Sequence, residues 1–425
     1  MSETINCSLT KLNSKKKIWS IFKIPLCARE DDYVFSVNYK LGYLPKGQVS
    51  KHKPSKKERV ESYLTIEKTK GTILDKKPEG KSRIITRFVD GSDWLKNAQR
   101  KFHKAIIKGL KDIPYLQSTL KNTSYATNGN KHSGKPRFFY TIDLKNFFGQ
   151  IEIDRVKRSL QDALAIDGDV ATFYSKMLTS PNDDDPPKLV LGQGLPSSPI
   201  VSYICNMPLF DYIYKIATEN NITFTIYVDD ITFSSEEEIP QSFINKIMGI
   251  IKGNKLVVNK AKIHRPKKET IKKVTGVCII YGGKPSISRK KHEELFSLYE
   301  VIVSIINQPE MTIDDFFKMY NYFLKFSGNF IHLCSVQYSS NLSPEGKQFT
   351  HAKYAELYRK ILPFFRIGTK KNDKLKAYSV DNISKDDYEI FEKQFKAFIS
   401  KKEKLVNSFK PVRKKNSVLR VIENQ

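Results

Sequence analysis

The amino-acid sequence predicts an α+β protein whose last third is helical. Up to about residue 280, short β-prone runs with alternating apolar residues interleave with segments of helical spacing; beyond Ser286 the spacing is almost entirely helical. With 425 residues, 40% hydrophobic and 12% aromatic, the chain can bury a sizeable core. The expected division is a basic N-terminal extension over residues 1–65, a mixed region over 66–280, and a helical region with a basic tail over 281–425.

Charge narrows the function. Against 45 acidic residues stand 73 Lys and Arg, a net charge of +28, which calls for a polyanionic partner with nucleic acid as the leading candidate. A basic membrane protein would need an apolar span, and no run is long enough. The N-terminus lacks the basic-then-apolar order of a signal peptide, so a cytoplasmic setting without a membrane partner is expected. Cys7, Cys27, Cys205, Cys278 and Cys334 are odd in number and widely spaced, which predicts neither a zinc site nor a disulfide framework.

Taken in order, the Lys-rich stretch from Lys46 through Lys57 reads as a solvated loop, either a phosphate-contacting arm or a solubilising surface. Tyr63-Leu-Thr-Ile66 and Arg83-Ile-Ile-Thr86 read as a hairpin around a basic turn ending at Lys81, and Trp94 to Leu110 as a helix. Residues 121–136 read as a polar loop, and Phe138 to Ile142 as a buried strand ending at Asp143. Helices follow over Ile153 to Ala165 and Ala171 to Leu178. Asp183-Asp-Asp185 lies in a proline-bounded loop and is rejected as a metal site. Leu189 to Pro199 gives a short strand, a glycine-rich turn and a helix start near Ser197. Lys255 to His264 and Lys273 to Ile280 read as strands; Phe243 to Ile251, His292 to Ile306, Ile313 to Phe326, Ala352 to Phe365 and Lys385 to Leu405 as helices.

The chemistry concentrates at Ile222 to Ser235. Apolar residues alternate on either side of Asp229-Asp230, so two strands meet at a tight turn carrying two carboxylates. Adjacent aspartates repel, and a divalent cation such as Mg²⁺ removes the conflict. An exposed turn is equally consistent with the dipeptide alone. Asp143, at the end of its strand, is a third potential ligand. Three such carboxylates suit nucleotidyl transfer, which uses two metal ions about 4 Å apart.

Asp143-Leu-Lys-Asn-Phe-Phe, Gln193-Gly-Leu-Pro-Ser-Ser-Pro and Tyr227-Val-Asp-Asp, in that order, resemble the central palm motifs of reverse transcriptases. Lys81-Ser-Arg83-Ile-Ile with Leu95-Lys-Asn-Ala-Gln-Arg100 resembles the preceding fingers motifs, and Lys262 stands where the family has a lysine after the hairpin. The resemblance covers residues 75 to 290, and within the family it is nearest to bacterial retron-type enzymes and their antiphage-defence relatives. Val274-Thr-Gly276 matches the motif that opens the retron thumb. Asn128-Gly-Asn-Lys-His132 is similar to their Asn-Ala-x-x-His motif, with Gly129 in place of alanine; the hairpin has Val228 where most retron enzymes have alanine.

The resemblance implies a right-hand polymerase fold, with fingers and palm over 66–280 and a helical thumb after them. It also implies roles: Asp143, Asp229 and Asp230 as ligands of two Mg²⁺ ions, with Mn²⁺ as a substitute; Lys81 and Arg83 on the incoming triphosphate; Phe148 as an aromatic gate against a 2′-hydroxyl; Gln193 and Gly194 against nucleotide and template; Lys262 as proton donor to pyrophosphate. Asn128, His132, Val274, Thr275 and Gly276 are expected to touch RNA. The implied activity is RNA-directed DNA synthesis from dNTPs on a structured noncoding RNA, giving cDNA in antiphage defence, with an effector protein as a further candidate partner. The competing readings are a noncatalytic RNA-binding scaffold, an RNA-directed RNA polymerase and a group II intron-like maturase. Phe148 speaks against the second, and the lack of a His/Asn-rich or Cys-rich endonuclease segment after the thumb against the third.

Overall fold

A computed structural model of the chain describes residues 5–10, 15–23, 64–69, 83–88, 93–110, 112–182, 188–338, 352–365 and 385–409. The Lys46 to Lys57 run, Lys81, the Asp183 to Asp185 cluster and the tail beyond Phe409 lie outside these residues. The chain divides into two compact units, Met1–Thr275 and Gly276–Gln425.

The first unit runs α1 (Lys15–Phe22), β1 (Leu64–Thr69), β2 (Arg83–Phe88), α2 (Asp93–Gly109), α3 (Tyr125–Lys131), β3 (Phe138–Asp143), α4 (Ile153–Leu164), α5 (Gly168–Leu178), β4 (Ser180–Pro181), β5 (Leu189–Val190), α6 (Ser198–Glu219), β6 (Thr223–Tyr227), β7 (Asp230–Ser235), α7 (Gln241–Gly253) and β8 (Lys272–Val274). β1 and β2 pair antiparallel, Leu64 opposite Phe88 and Thr69 opposite Arg83. In α2 the predicted spacing holds: Leu95, Ala98, Phe102 and Ile106 are all buried. α6 is apolar on nearly every side and accordingly buried, from Ile200 and Val201 to Ile213 and Ala217.

At the centre is an antiparallel sheet of order β3-β7-β6. Its register sets Ile142 opposite Ile231 and Tyr140 opposite Phe233, while Phe224 and Ile226 of β6 meet Phe233 and Ile231 from the other side. Because side chains alternate across a strand, these residues share one face, which packs into the core with Phe243 of α7 edge-on to Phe233 at 5.4 Å. The opposite face carries Asp143, Thr141 and Phe139 of β3, Asp230, Thr232 and Ser234 of β7, and Tyr227, Thr225 and Thr223 of β6.

Several expectations are corrected. Tyr125–Lys131 is a helix rather than part of a polar loop, opened by a capping box in which the Ser124 hydroxyl accepts from the Thr127 amide and Thr127 Oγ1 from the Ser124 amide. Residues 255–264 form no strand: single bridges at Val258 and His264 flank a 3-10 turn over Lys260–Lys262, all along the free edge of β3. The strand expected over Lys273 to Ile280 is broken, since Thr275 and Gly276 have φ of +46° and +94° and cannot continue a ladder. The N-terminal region is not only a basic arm: Ile5, Cys7, Leu9, Ile18 and Phe22 are buried in the first unit's core, and the Ile5 amide donates to the Ala163 carbonyl at 2.7 Å.

The second unit opens with β9 (Val277–Ile280) paired antiparallel to β10 (Lys284–Ser286), followed by α8 (Arg289–Ile306), α9 (Ile313–Tyr338), α10 (Ala352–Ile361), α11 (Lys385–Ile399) and α12 (Lys402–Val406). α9 runs well past the predicted Phe326, and the predicted Lys385 to Leu405 helix is split in two. Its core is aromatic: Phe316, Phe317, Tyr320, Phe323 and Phe326 are essentially inaccessible, and Phe317 stacks on Phe391 at 4.2 Å.

Phe233, fully buried between Phe224, Phe243 and Tyr140, leaves a cavity when truncated. Phe233→Ala is expected to cost about 3–5 kcal/mol, read as a lowered denaturant midpoint in equilibrium unfolding.

Candidate active site

The site is built on the polar face of the central sheet, at the end where β6 turns into β7. Asp143 and Asp230 are direct cross-strand partners, and Tyr227 pairs with Asp230 from the other side. Backbone pairing thus forces two carboxylates into adjacent positions, which side-chain preference alone would avoid. The two-residue turn is Val228-Asp229. Val228 has φ +60°, the left-handed conformation that the first position of a tight hairpin turn demands and a β-branched residue resists. Its amide donates to Ser118 Oγ at 3.3 Å, and the Asp229 carbonyl accepts from the Leu144 amide at 3.1 Å. Residues 115–118 run beside β6, exchanging Ile226 N–H to Tyr115 O at 2.8 Å and Gln117 N–H to Ile226 O at 2.9 Å. The hairpin is therefore clamped on both edges.

The other edge comes from the segment that was expected to be a strand. The Lys145 amide donates to the Val257 carbonyl and the Asn259 amide to the Asp143 carbonyl, both at 2.8 Å. The 3-10 turn then presents two side chains to one carboxylate: Lys262 Nζ donates to Asp143 Oδ1 at 2.8 Å and Asn259 Nδ2 to Asp143 Oδ2 at 3.3 Å. Asn259 was not singled out in the sequence, although it lies three residues before Lys262. Burial, and then the charges of Asp229 and Asp143, push the Asp230 carboxyl up to about 6, against the pull of Lys262. Asp143, Asp229 and Asp230 are the donors that could hold a metal, since their crowding is the kind a cation relieves. As the side chains stand, however, no three His, Cys, Asp or Glu among the described residues converge on one ion position.

Phe148 opens a short 3-10 turn, Phe148–Gln150, that follows the loop after Asp143; it is half-buried, its ring 5.8 Å from that of buried Phe147. Gln193 and Gly194 are exposed, Gly194 with φ +109°. Their turn is tied to β2, the strand that begins with Arg83, through Thr86 N–H to Gln193 O at 2.7 Å. A Cβ at Gly192 would stand 2.5 Å from both Thr86 Oγ1 and Ser180 Oγ, so glycine is what allows β2 to approach.

Of the five expected RNA contacts, Asn128 and His132 are completely buried and Val274 nearly so, which leaves their side chains no surface to offer, whereas Thr275 and Gly276 are partly exposed. His132 lies against the polar face of the sheet, Nδ1 2.7 Å from Ser234 Oγ and Nε2 2.7 Å from Thr225 Oγ1, and burial holds its imidazole down to about 3, hence neutral. Asn128 Nδ2 donates to Thr275 Oγ1 at 3.3 Å, and Thr275 Oγ1 donates to the Tyr125 carbonyl at 2.9 Å. The sequence resemblance marked these positions; their inward orientation required the fold.

Gly192→Ala is expected to destabilise the first unit by about 1–3 kcal/mol, seen as a lower melting temperature, because Thr86 is held by the Gln193 carbonyl and cannot retreat.

Residues 75–278 match the family model for reverse transcriptase (RNA-dependent DNA polymerase). The chain is 28% identical over 228 residues to the retron Ec86 reverse transcriptase of Escherichia coli, covering 53% of this chain and 66% of that protein. It is 27% identical over 167 residues to the Ec83 enzyme of the same organism, covering 38% and 54%, and 24% identical over 274 residues to the retron Mx65 reverse transcriptase of Myxococcus xanthus, covering 61% and 60%. The chain thus spans between about half and two-thirds of the length of these relatives. Among solved structures, apo telomerase from Candida tropicalis aligns with a TM-score of 0.37 at 12% identity, over 65% of this chain and 59% of that one. Among the described residues, no helix is long and apolar enough to cross a membrane. With the motifs in order and the paired aspartates on one sheet, residues 75–278 are a reverse transcriptase domain, similar in sequence to those of retrons.

Proposed function

We propose that the chain is an RNA-directed DNA polymerase that copies a structured noncoding RNA into cDNA and serves in antiphage defence. The observation that carries this reading is the register that sets Asp143 opposite Asp230 with Asp229 beside it. The net charge of +28 supports a nucleic-acid partner, and the names of the similar retron proteins support the RNA-copying assignment.

In this reading Asp143, Asp229 and Asp230 hold divalent cations, Mg²⁺ above all. When bound, these supply charge neutralisation at the attacking 3′-hydroxyl and the triphosphate. The chain's own residues do the rest by positioning and exclusion. Lys262, held 2.8 Å from Asp143, keeps a cation at the site and is within reach to give a proton to departing pyrophosphate. Lys81 and Arg83 bind the triphosphate, the exposed Gln193-Gly194 turn lies under nucleotide and template, and the Phe148 ring blocks a 2′-hydroxyl, so that dNTPs are selected.

The full chain with an RNA template, a DNA primer, Mg²⁺ and dNTPs should extend the primer; Asp230→Asn should reduce the rate at least about a hundredfold, and Phe148→Ala should narrow the preference for dNTP over NTP by about tenfold or more. RNA binding without any Mg²⁺-dependent incorporation would replace this reading with that of a noncatalytic scaffold.

The Asp230 carboxyl at about 6 gives a pH dependence with a definite sign. Protons compete with metal as pH falls through that value, so the Mg²⁺ requirement should rise by up to about tenfold per pH unit below it. An ordinary carboxylate would not respond until near pH 4. Lys262→Met removes the cation that lowers this value, so its acid limb should shift to higher pH, measured as the pH profile of the half-saturating Mg²⁺ concentration.

A further inference from the structure

We propose that Asn128 and His132 are positioning residues for the carboxylate-bearing hairpin, acting through α3 as an internal latch rather than as contacts to RNA. This rests on the polymerase reading above, and it assigns to the two residues a role in the rate of nucleotide addition.

His132 uses both ring nitrogens on one hairpin. Ser234 belongs to β7 and Thr225 to β6, and the two are not register partners: Thr225 faces Thr232, and Ser234 faces Thr223. The imidazole therefore bridges the hairpin diagonally, which fixes how one strand can slide or twist against the other. The hydroxyls it grips lie on the same face as Asp143 and Asp230, and Ser234 stands four residues, roughly 13 Å, along β7 from Asp230. Phe139, the register partner of Ser234 on β3, packs its ring 5.8 Å from the imidazole. All three strands of the sheet thus meet at this residue.

The other end of α3 is fastened as well. Asn128 donates to Thr275, and Thr275 donates back to Tyr125 at the start of the same helix. That tie holds α3 to the left-handed Thr275-Gly276 turn, so the helix is braced between the turn and the hairpin. Among the described residues Asn128 Oδ1 is buried without a hydrogen-bond partner, so the side chain is placed by its one bond, to Thr275.

The test compares His132→Ala, the milder His132→Gln, and Asn128→Ala with the unaltered chain. It measures kcat for dNTP incorporation per folded molecule, the half-saturating Mg²⁺ concentration, the dissociation constant for an RNA–DNA primer-template, and amide exchange over residues 223–235. A latch predicts that kcat falls at least about tenfold, as small displacements of reacting groups do, that the Mg²⁺ requirement rises, and that primer-template affinity stays within about twofold. It further predicts that amides of the hairpin exchange faster in the alanine variants, with His132→Gln intermediate in both readouts. Two results would overturn it: affinity weakened about tenfold with kcat at saturation unchanged, which is what an RNA contact gives, or a lowered melting temperature with kcat, Mg²⁺ requirement and hairpin exchange all unchanged, which is what a purely structural helix gives. If the unaltered chain incorporates no nucleotide, the polymerase reading fails instead, and the exchange measurement alone decides: unchanged protection of residues 223–235 in His132→Ala refutes the latch.

Discussion

The arrangement of the candidate site depends on one constraint: the antiparallel ladder β3-β7-β6, which places Asp143 directly across from Asp230. The two carboxylates repel, yet the pairing is held from the opposite face by Ile142, Ile226, Ile231, Phe224 and Phe233, all buried. A one-residue slip of β3 would relieve the charge but would turn that strand's own buried side chains on this face, Tyr140 and Ile142, to the polar face, at roughly 1.5–3 kcal/mol each. Apolar burial therefore outweighs the repulsion, which persists in the folded site. The raised carboxyl of Asp230 is its electrostatic trace.

Around that ladder the chain supplies restraints that are individually modest. Ser118 takes the amide of the strained Val228, the Leu144 amide takes the Asp229 carbonyl, and the irregular edge at residues 257–264 delivers Asn259 and Lys262 to the two oxygens of Asp143. None is a large contributor to stability; a typical hydrogen bond adds about 1 kcal/mol net. Their common effect is geometric, because each removes a freedom from a side chain or turn within a few residues of an aspartate. The hairpin's far end is restrained by the same logic through His132, where two hydroxyls that would otherwise need partners on a buried face are satisfied by one imidazole.

What could be read in advance was what repeats with a period. Strands β6 and β7 announce themselves by alternation around Asp229-Asp230, β3 by an unbroken apolar run that ends at Asp143, and α2 by apolar residues every third or fourth position. α3 escaped because Tyr125–Lys131 carries almost no apolar residues: it packs against a face made of hydroxyls, so its contacts are polar and leave no amphipathic stripe. Only the Ser124 and Thr127 capping pair could have betrayed it. Residues 255–264 have a strand's composition, but Lys255 takes a positive φ and the 3-10 turn breaks the ladder, so the expectation failed on backbone geometry rather than on residue type.

By itself the sequence determined the identity and order of the candidate-site carboxylates, the hairpin that carries two of them, and the resemblance that joins them to a reverse transcriptase domain, because these depend on local pattern and spacing. Only the tertiary structure decided which groups meet. That Asp143 faces Asp230, that Lys262 and Asn259 share one carboxylate, and that Asn128 and His132 turn inward all follow from contacts between segments about 90 to 150 residues apart in the chain. Such contacts are set by how sheet faces and helices bury their surfaces together, and no window of sequence contains both partners.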